Sequence, residues 1–326
     1  MTFLEKQQHI IIRAMTSSIQ FLDGVAPLTN YGLIRVAGDD AAKFLHNQLT
    51  NDFVLLDLTQ ARLAGFCSAK GRMQASFIGF KRSPTEILLI CDQRILPATL
   101  KRLRMFVLRA KASLTDASPE FGVFGMAGST LQIAIENRAI SASGVWAKAD
   151  FDGISLIQLY PADGVARALW TAPISQPAPT GPALTQALWD WSEVRSGIAT
   201  ITAPTVESFV PQMLNYESVG GVNFKKGCYP GQEVVARSQF RGTLKRRAYL
   251  AHADMAMSAG DEVFAGSDAT QPCGIVAQAA AAPAGGFDAI VSMQISAFEA
   301  GGVHLGGAAG PLMALSPPPY PLLKDI

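Results

Sequence analysis

The sequence predicts a protein of the α+β class, because short apolar strands and amphipathic helices alternate without a regular βαβ order. The chain has 326 residues, which suits more than one domain, and 49% of them are hydrophobic, enough for a sizeable core. Charged residues make up only 16%, which argues against a disordered chain. The net charge is +1, so no overall electric field selects a nucleic acid or a membrane.

In the first half of the chain, apolar spacing and turn residues predict strands and helices in mixed order. Strands are predicted over residues 31–36, 73–80, 86–91, 121–124, 131–135 and 154–159. Helices are predicted over 41–49, behind an aspartate cap, and over 94–111, where leucines recur at helical spacing beside basic residues. The charges of the second helix suit a solvated face.

The second half begins with a Pro-rich linker or loop over 173–182, followed by a helix over 184–196 that Gly197 ends. After residue 243, Ala and Gly dominate and short β-like runs alternate with glycine turns, which predicts a small all-β module or barrel. We therefore expect two parts, an α+β region over 1–240 and a C-terminal module over 241–326.

Cysteine usage and the N-terminal residues both indicate the cytoplasm. The four cysteines lie far apart without a CxxC pair, which excludes a disulfide framework and the spacing of a metal site. No apolar run is long enough for a signal-peptide core or a membrane span. Cys67, Cys91 and Cys273 are expected to be small buried hydrophobic residues.

The segment from Lys226 to Glu233, Lys-Gly-Cys-Tyr-Pro-Gly-Gln-Glu, differs from the rest of the chain. Its Pro-Gly pair requires a tight bend, and Lys225 and Lys226 favour the thiolate form of Cys228. The residues alone leave open whether Cys228 is a nucleophile, a redox thiol or a transient metal ligand. One thiolate does not close a cluster site, so any cluster is shared with another chain or transient.

Other polar residues carry weaker signals. Seven basic residues over 225–247 form either a solvated turn or an anion site for polyglutamate, phosphate or RNA. Glu193, in the last turn of its helix, pairs with Arg195, faces water, or accepts two N–H groups of a pterin. Asp52 and the turn at 70–72 are more simply explained as turn residues.

The octet at 226–233 closely resembles the signature KGCYxGQE of the YgfZ family. The resemblance spans roughly residues 30–250 and includes residues 44–52, 70–72, 195–198, 209–212 and 220–246. It carries Lys226 and Cys228 over as catalytic residues. It also carries over the other motif positions, namely Gly227, Tyr229, Gly231, Gln232, Glu233 and Arg237.

This family shares the fold of the T-protein of the glycine cleavage system, a tetrahydrofolate-dependent aminomethyltransferase. The resemblance therefore implies a T-protein-like folate-binding fold with a C-terminal β-barrel. It implies tetrahydrofolate or a folate derivative as cofactor, with Glu193 at the pterin-binding carboxylate and Asp52 and Tyr229 as further folate-binding candidates. No resident metal is expected.

The resemblance also implies a function and partners. Family members are implicated in assembly or repair of iron–sulfur clusters, notably in tRNA-thiolating enzymes, so the expected partners are iron–sulfur client or assembly proteins, with a transient cluster shared between chains. A one-carbon transferase is the alternative, but residues 91–97 lack an acid at the position where the T-protein carries one. A basic scaffold that binds RNA without chemistry is a third hypothesis.

Overall fold

In the computed structural model, the described residues are 22–240, 244–266 and 270–323. They form sixteen strands and six α-helices. The strands are β1 (Gly24–Pro27), β2 (Tyr31–Ala37), β3 (Ala61–Cys67), β4 (Met73–Ser83), β5 (Glu86–Asp92), β6 (Ser113–Asp116), β7 (Phe121–Ala127), β8 (Lys148–Phe151), β9 (Ile154–Gln158), β10 (Arg167–Pro173), β11 (Arg246–Ala253), β12 (Glu262–Ala265), β13 (Gly274–Ala281), β14 (Phe287–Gln294), β15 (Val303–Leu305) and β16 (Ala314–Ser316). The helices are α1 (Ala41–His46), α2 (Leu96–Arg104), α3 (Gly128–Glu136), α4 (Gln186–Arg195), α5 (Gln232–Phe240) and α6 (Ile295–Ala300).

The strands form three antiparallel sheets. The first has the order β1-β7-β10-β9-β8 and the second the order β3-β4-β5-β2-β6. Leu33 on β2, Phe77 on β4 and Leu169 on β10 are buried in one continuous apolar core between them. The α+β prediction is therefore confirmed.

The predicted C-terminal β-module is a six-stranded antiparallel sheet, ordered β15-β12-β13-β14-β11-β16 and curled into a half-barrel. Helix α4 packs against β13 and β14. The indole nitrogen of Trp191 on α4 donates to Asp288 on β14 over 2.7 Å. The sheet is thereby joined to the rest of the fold by buried polar contacts, while the boundary between residues 240 and 241 stays a prediction.

Most predicted strands are confirmed within a few residues, but three predictions of local structure are wrong. Residues 131–135 belong to helix α3, although their alternating apolar residues suggest a strand. Helix α2 ends at Arg104 rather than at residue 111, and the Arg104 guanidinium donates to the Leu114 carbonyl at the start of β6. Helix α1 ends at His46 rather than at residue 49. Helix α5, which the pattern does not indicate, begins directly after the Pro-Gly bend.

No helix within residues 22–240, 244–266 and 270–323 combines the length and the apolar character needed to cross a membrane.

Candidate functional site

Cys228 is exposed, whereas Cys67, Cys91 and Cys273 are buried. Burial raises the pKa of Cys67 to about 12, and it raises the pKa of Cys91 as well. Burial also raises the pKa of Cys273. The three buried thiols therefore stay protonated and inaccessible, as the sequence predicts, and Cys228 is the cysteine that a reagent or partner can reach.

The cysteine loop (residues 224–231) is held on one side by the turn at 68–72. Gly231 has a φ of +80°, and a Cβ built there would lie 2.4 Å from the Ser68 carbonyl oxygen and 2.7 Å from the Gly71 Cα. Gly71 also has a positive φ, +71°, and its Cβ would lie 2.9 Å from the Cβ of Val234 on α5. Two glycines thus let two backbone turns touch, which explains the turn at 70–72 as part of this site.

The loop is anchored on its other side by the residues that follow helix α1. The Thr50 hydroxyl donates to the Gly221 carbonyl over 2.6 Å, and the Asn51 amide donates to the Gly220 carbonyl over 2.6 Å. Farther along, the side-chain oxygen of Asn223 accepts the backbone N–H groups of residues 225 and 226 at 2.8 and 3.1 Å. These hydrogen bonds fix the entry to the loop.

Lys226 points back into the protein beneath the loop and is 8% exposed. Its Nζ donates to the Gly227 carbonyl over 3.0 Å and lies 4.4 Å from the centroid of the Tyr229 ring, a cation–π contact. Burial lowers the pKa of Lys226 to about 8, against the opposing influence of negative charge at Asp52 and Cys228. Lys226 thus exchanges a proton near neutral pH beside the exposed thiol.

Asp52 is near enough to Lys226 for its negative charge to act on the pKa of that lysine. Its Oδ1 is 3.1 Å from the Nδ1 of His46 and accepts the backbone N–H of Leu55 over 2.9 Å. Burial alone would raise the pKa of Asp52, but these hydrogen bonds outweigh it and hold the pKa below its usual value. Asp52 is therefore an anion with fixed orientation beside Lys226.

The remainder of the octet forms the start of α5. Gln232 and Glu233 are its first two residues, and Glu233 and Arg237 line an outward-facing groove of about 340 Å³ together with Phe240. The amide of Gln212 donates to the Val235 carbonyl over 2.7 Å and ties the helix to the fold. The helix thus follows the bend because the Pro-Gly pair directs the chain into it.

Several of the basic residues over 225–247 make contacts within the fold. Arg247 is buried in an ion pair with Glu217 at 2.7 Å, and Arg246 donates to the Cys273 carbonyl over 3.0 Å. Lys226 lies beneath the cysteine loop, and Arg241 lies outside the described residues. The fold therefore uses several of these cations for internal contacts.

Glu193 precedes the octet in the sequence and lies at a second site, where the residue is 9% exposed. The Tyr31 hydroxyl donates to its Oε2, and the Arg167 guanidinium lies 3.5 Å from its Oε1. Arg167 is itself held by the Ser192 hydroxyl at 2.8 Å and lies 5.0 Å from the centroid of the Trp189 ring. Burial raises the pKa of Glu193 despite the opposing Arg167 charge. The carboxylate is oriented, and part of its acceptor capacity remains.

Two adjoining cavities share Tyr31, Glu193 and Thr200 in their walls. The inner one is narrow, about 30 Å³, and mostly apolar, whereas the outer one has a volume of about 340 Å³ and opens between α4 and β13. Asp190 also lines the outer cavity, and burial raises the pKa of this carboxyl. The outer cavity is large enough for a flat heterocycle, and the Glu193 carboxylate in its wall can accept adjacent N–H groups.

The structure thus separates the predicted site residues into two sets. Asp52 and Tyr229 lie with Lys226 and Cys228, and neither lines the cavities at Glu193. Tyr31 and Arg167 were not predicted, although an arginine directly before the apolar run of β10 is a signal, because buried arginines require partners.

No family model matches the chain. It is 31% identical over 232 residues to the tRNA-modifying protein YgfZ of Vibrio vulnificus, which covers 69% of this chain and 68% of the relative. The chain belongs to the YgfZ family. A second YgfZ, from Colwellia psychrerythraea, is 28% identical over 232 residues, covering 70% of this chain and 71% of the relative.

The chain also resembles a solved structure, the glycine cleavage system aminomethyltransferase T from Bartonella henselae. The TM-score is 0.69, and the match covers 95% of this chain and 90% of the other at 13% identity. This likeness confirms the T-protein-like fold that the octet implies.

Proposed function

We propose that this protein is a folate-binding accessory factor for assembly or repair of iron–sulfur clusters in client enzymes such as those that thiolate tRNA. The observation that carries the proposal is the presentation of Cys228. It is the exposed cysteine, on a loop held by two glycine contacts and an asparagine, with Lys226 and Asp52 beneath it. The related V. vulnificus protein is named for tRNA modification, which supports this class of client.

The proposed folate site is the pair of cavities at Glu193. The Glu193 carboxylate would accept hydrogen bonds from the exocyclic amine and the ring N–H of the pterin. Tyr31 and Arg167 hold this carboxylate in place. The outer cavity, with a volume of about 340 Å³, is large enough for a pterin ring. Bound folate supplies a one-carbon carrier, while the residues of this chain bind, orient and shield it.

The cluster itself is the cargo of this activity. Among residues 22–240, 244–266 and 270–323, no group of three His, Cys, Asp or Glu side chains is arranged to hold a metal ion. Cys228 would therefore engage a cluster or sulfur species on a client or assembly protein. Its thiolate would add to an open coordination position of an iron on that partner, a step that breaks no bond, while the thiol proton goes to solvent and protonated Lys226 stabilises the negative sulfur. Such work in a reducing cytoplasm agrees with the unpaired cysteines.

Activity of a cluster-containing tRNA-thiolating enzyme in cells tests the role of Cys228. The substitution Cys228→Ala should abolish the contribution of this protein to the activity of that enzyme. Cys273→Ala, which removes a buried thiol, is the matched control. Full enzyme activity in cells that carry Cys228→Ala would contradict the proposal. Tight, salt-sensitive RNA binding with Cys228 dispensable would favour the RNA scaffold instead.

Calorimetry with tetrahydrofolate tests the folate site. Glu193→Gln should weaken binding about tenfold or more, because hydrogen bonds to a charged group are lost. Glu233→Gln, at an exposed carboxylate on α5, should not change it. Equal affinities of Glu193→Gln and the unaltered protein would remove Glu193 from the site. Turnover of methylene-tetrahydrofolate by the pure protein would favour the aminomethyltransferase alternative.

A further inference from the structure

A separate cavity lies between the turn at residue 72 and the C-terminal sheet, and two arginines line it. Its volume is about 240 Å³, and Arg72, Arg246 and Ser292 contribute to its wall. No acidic side chain is present among the described residues that line it. We define it as the arginine cavity, and it shares no wall residue with the cavities at Glu193.

Both guanidinium groups are oriented by backbone carbonyls. The Nη1 of Arg72 donates to the Ser208 carbonyl, and the Nη1 of Arg246 donates to the Cys273 carbonyl over 3.0 Å. Each anchor uses one of the five N–H donors of an arginine, and neither arginine forms an ion pair with a described residue. The other donors are available to a ligand, and an anion in the cavity would be attracted by both positive charges.

Ser292 supplies an independent observation. This residue lies on the central strand β14, is 2% exposed, and its buried hydroxyl has no hydrogen-bond partner among the described atoms. A buried polar group without a partner is costly, and such groups in native proteins call for an explanation. A ligand oxygen in the arginine cavity would accept the hydroxyl proton and provide that partner.

We propose that the arginine cavity binds the phosphate group of a small phosphorylated molecule. Planar guanidinium groups match the geometry of phosphate oxygens, and a hydroxyl donor completes the coordination. The volume suits one phosphate group with a small substituent and is below the range of drug-sized ligand sites. Arg72 directly follows Gly71, which contacts Gly231 at the end of the cysteine loop.

Titration of the full chain with inorganic phosphate, followed by calorimetry and ³¹P NMR, tests the proposal. Saturable binding is expected, and Arg246→Gln should weaken it about tenfold or more. Ser292→Ala removes the unpaired hydroxyl without removing a contact of the fold, so it should stay folded and weaken binding roughly two- to tenfold. Arg102→Gln, on the exposed face of α2, is the charge-matched control and should bind as the unaltered protein does.

Three results would overturn the proposal. The first is the absence of saturable phosphate binding. The second is equal affinity in Arg246→Gln, Ser292→Ala and the unaltered protein. The third is binding of a short single-stranded RNA that depends on Arg246 while phosphate alone does not bind, since the ligand would then be a polymer rather than a small molecule.

Discussion

Gly231→Ala should displace the cysteine loop more than any other single-methyl change in it. The added Cβ would lie 2.4 Å from the Ser68 carbonyl oxygen and 2.7 Å from the Gly71 Cα, both backbone atoms that cannot rotate away. A left-handed conformation costs a residue other than glycine about 1–2 kcal/mol, and overpacking adds roughly 1–3 kcal/mol. We therefore expect a loss of about 2–5 kcal/mol in the free energy of unfolding, measured in urea.

Substitutions at two other glycines separate the cost of the left-handed backbone from the cost of overpacking. Gly220 has a φ of +76° with nothing within 4 Å of the added Cβ, so Gly220→Ala carries only the backbone cost. Gly227→Ala would meet only the Nε2 of His46, at 3.5 Å, an ordinary contact, and should change stability by about 0.5 kcal/mol or less. All three substitutions reduce the freedom of the unfolded chain equally. If Gly231→Ala costs no more than Gly220→Ala, the backbone contact does not hold the loop.

Two further predictions concern buried charges. Lys226→Met should slow alkylation of Cys228 at pH 7 by roughly 1.5- to 5-fold, because the thiolate loses a neighbouring cation. The pKa of Lys226 is lowered to about 8, so this difference should vanish above that pH, and a gap that persists at pH 9.5 would contradict the assignment. Arg247→Met should cost about 3–5 kcal/mol in urea unfolding because it leaves the buried Glu217 carboxylate without its cation, whereas Arg102→Met should cost about 0.5 kcal/mol or less. A loss below 1 kcal/mol for Arg247→Met would refute the ion-pair argument.

The elements that the sequence predicts correctly carry their signal locally. Strand β5 is a continuous apolar run between Glu86 and Asp92, and Gly197 follows the end of α4 where expected. Helix α3 was missed because its N-terminal cap comes from far away. The Asp23 carboxylate accepts the backbone N–H of Thr130 over 2.8 Å and the hydroxyl of Ser129 over 2.9 Å. A cap 107 residues earlier leaves no mark in the local pattern.

The candidate site shows the same division. The octet predicts a bent loop with an accessible thiol, because proline, glycine and lysine act on the neighbouring backbone and charge. The contact between Gly231 and Gly71 and the pairing of Tyr31 with Glu193 were not predictable, since they join residues about 160 positions apart. Only the folded chain shows that Asp52 lies beside Lys226 and not beside Glu193.

The irregular segment between Glu193 and the octet connects the cavities at Glu193 to the cysteine loop and fixes the position of both. Thr200 lines both cavities, and the Tyr216 hydroxyl donates to the Ala199 carbonyl over 2.6 Å. At its far end, Gly220 and Gly221 accept hydrogen bonds from residues 50 and 51. Because buried hydrogen bonds hold both ends, the fold fixes where the thiol lies relative to the carboxylate. In another fold, the octet would still bend. It would lack the backbone turn at 68–72 against Gly231 and the Asp52 anion near Lys226, so the chemistry of the signature depends on this fold.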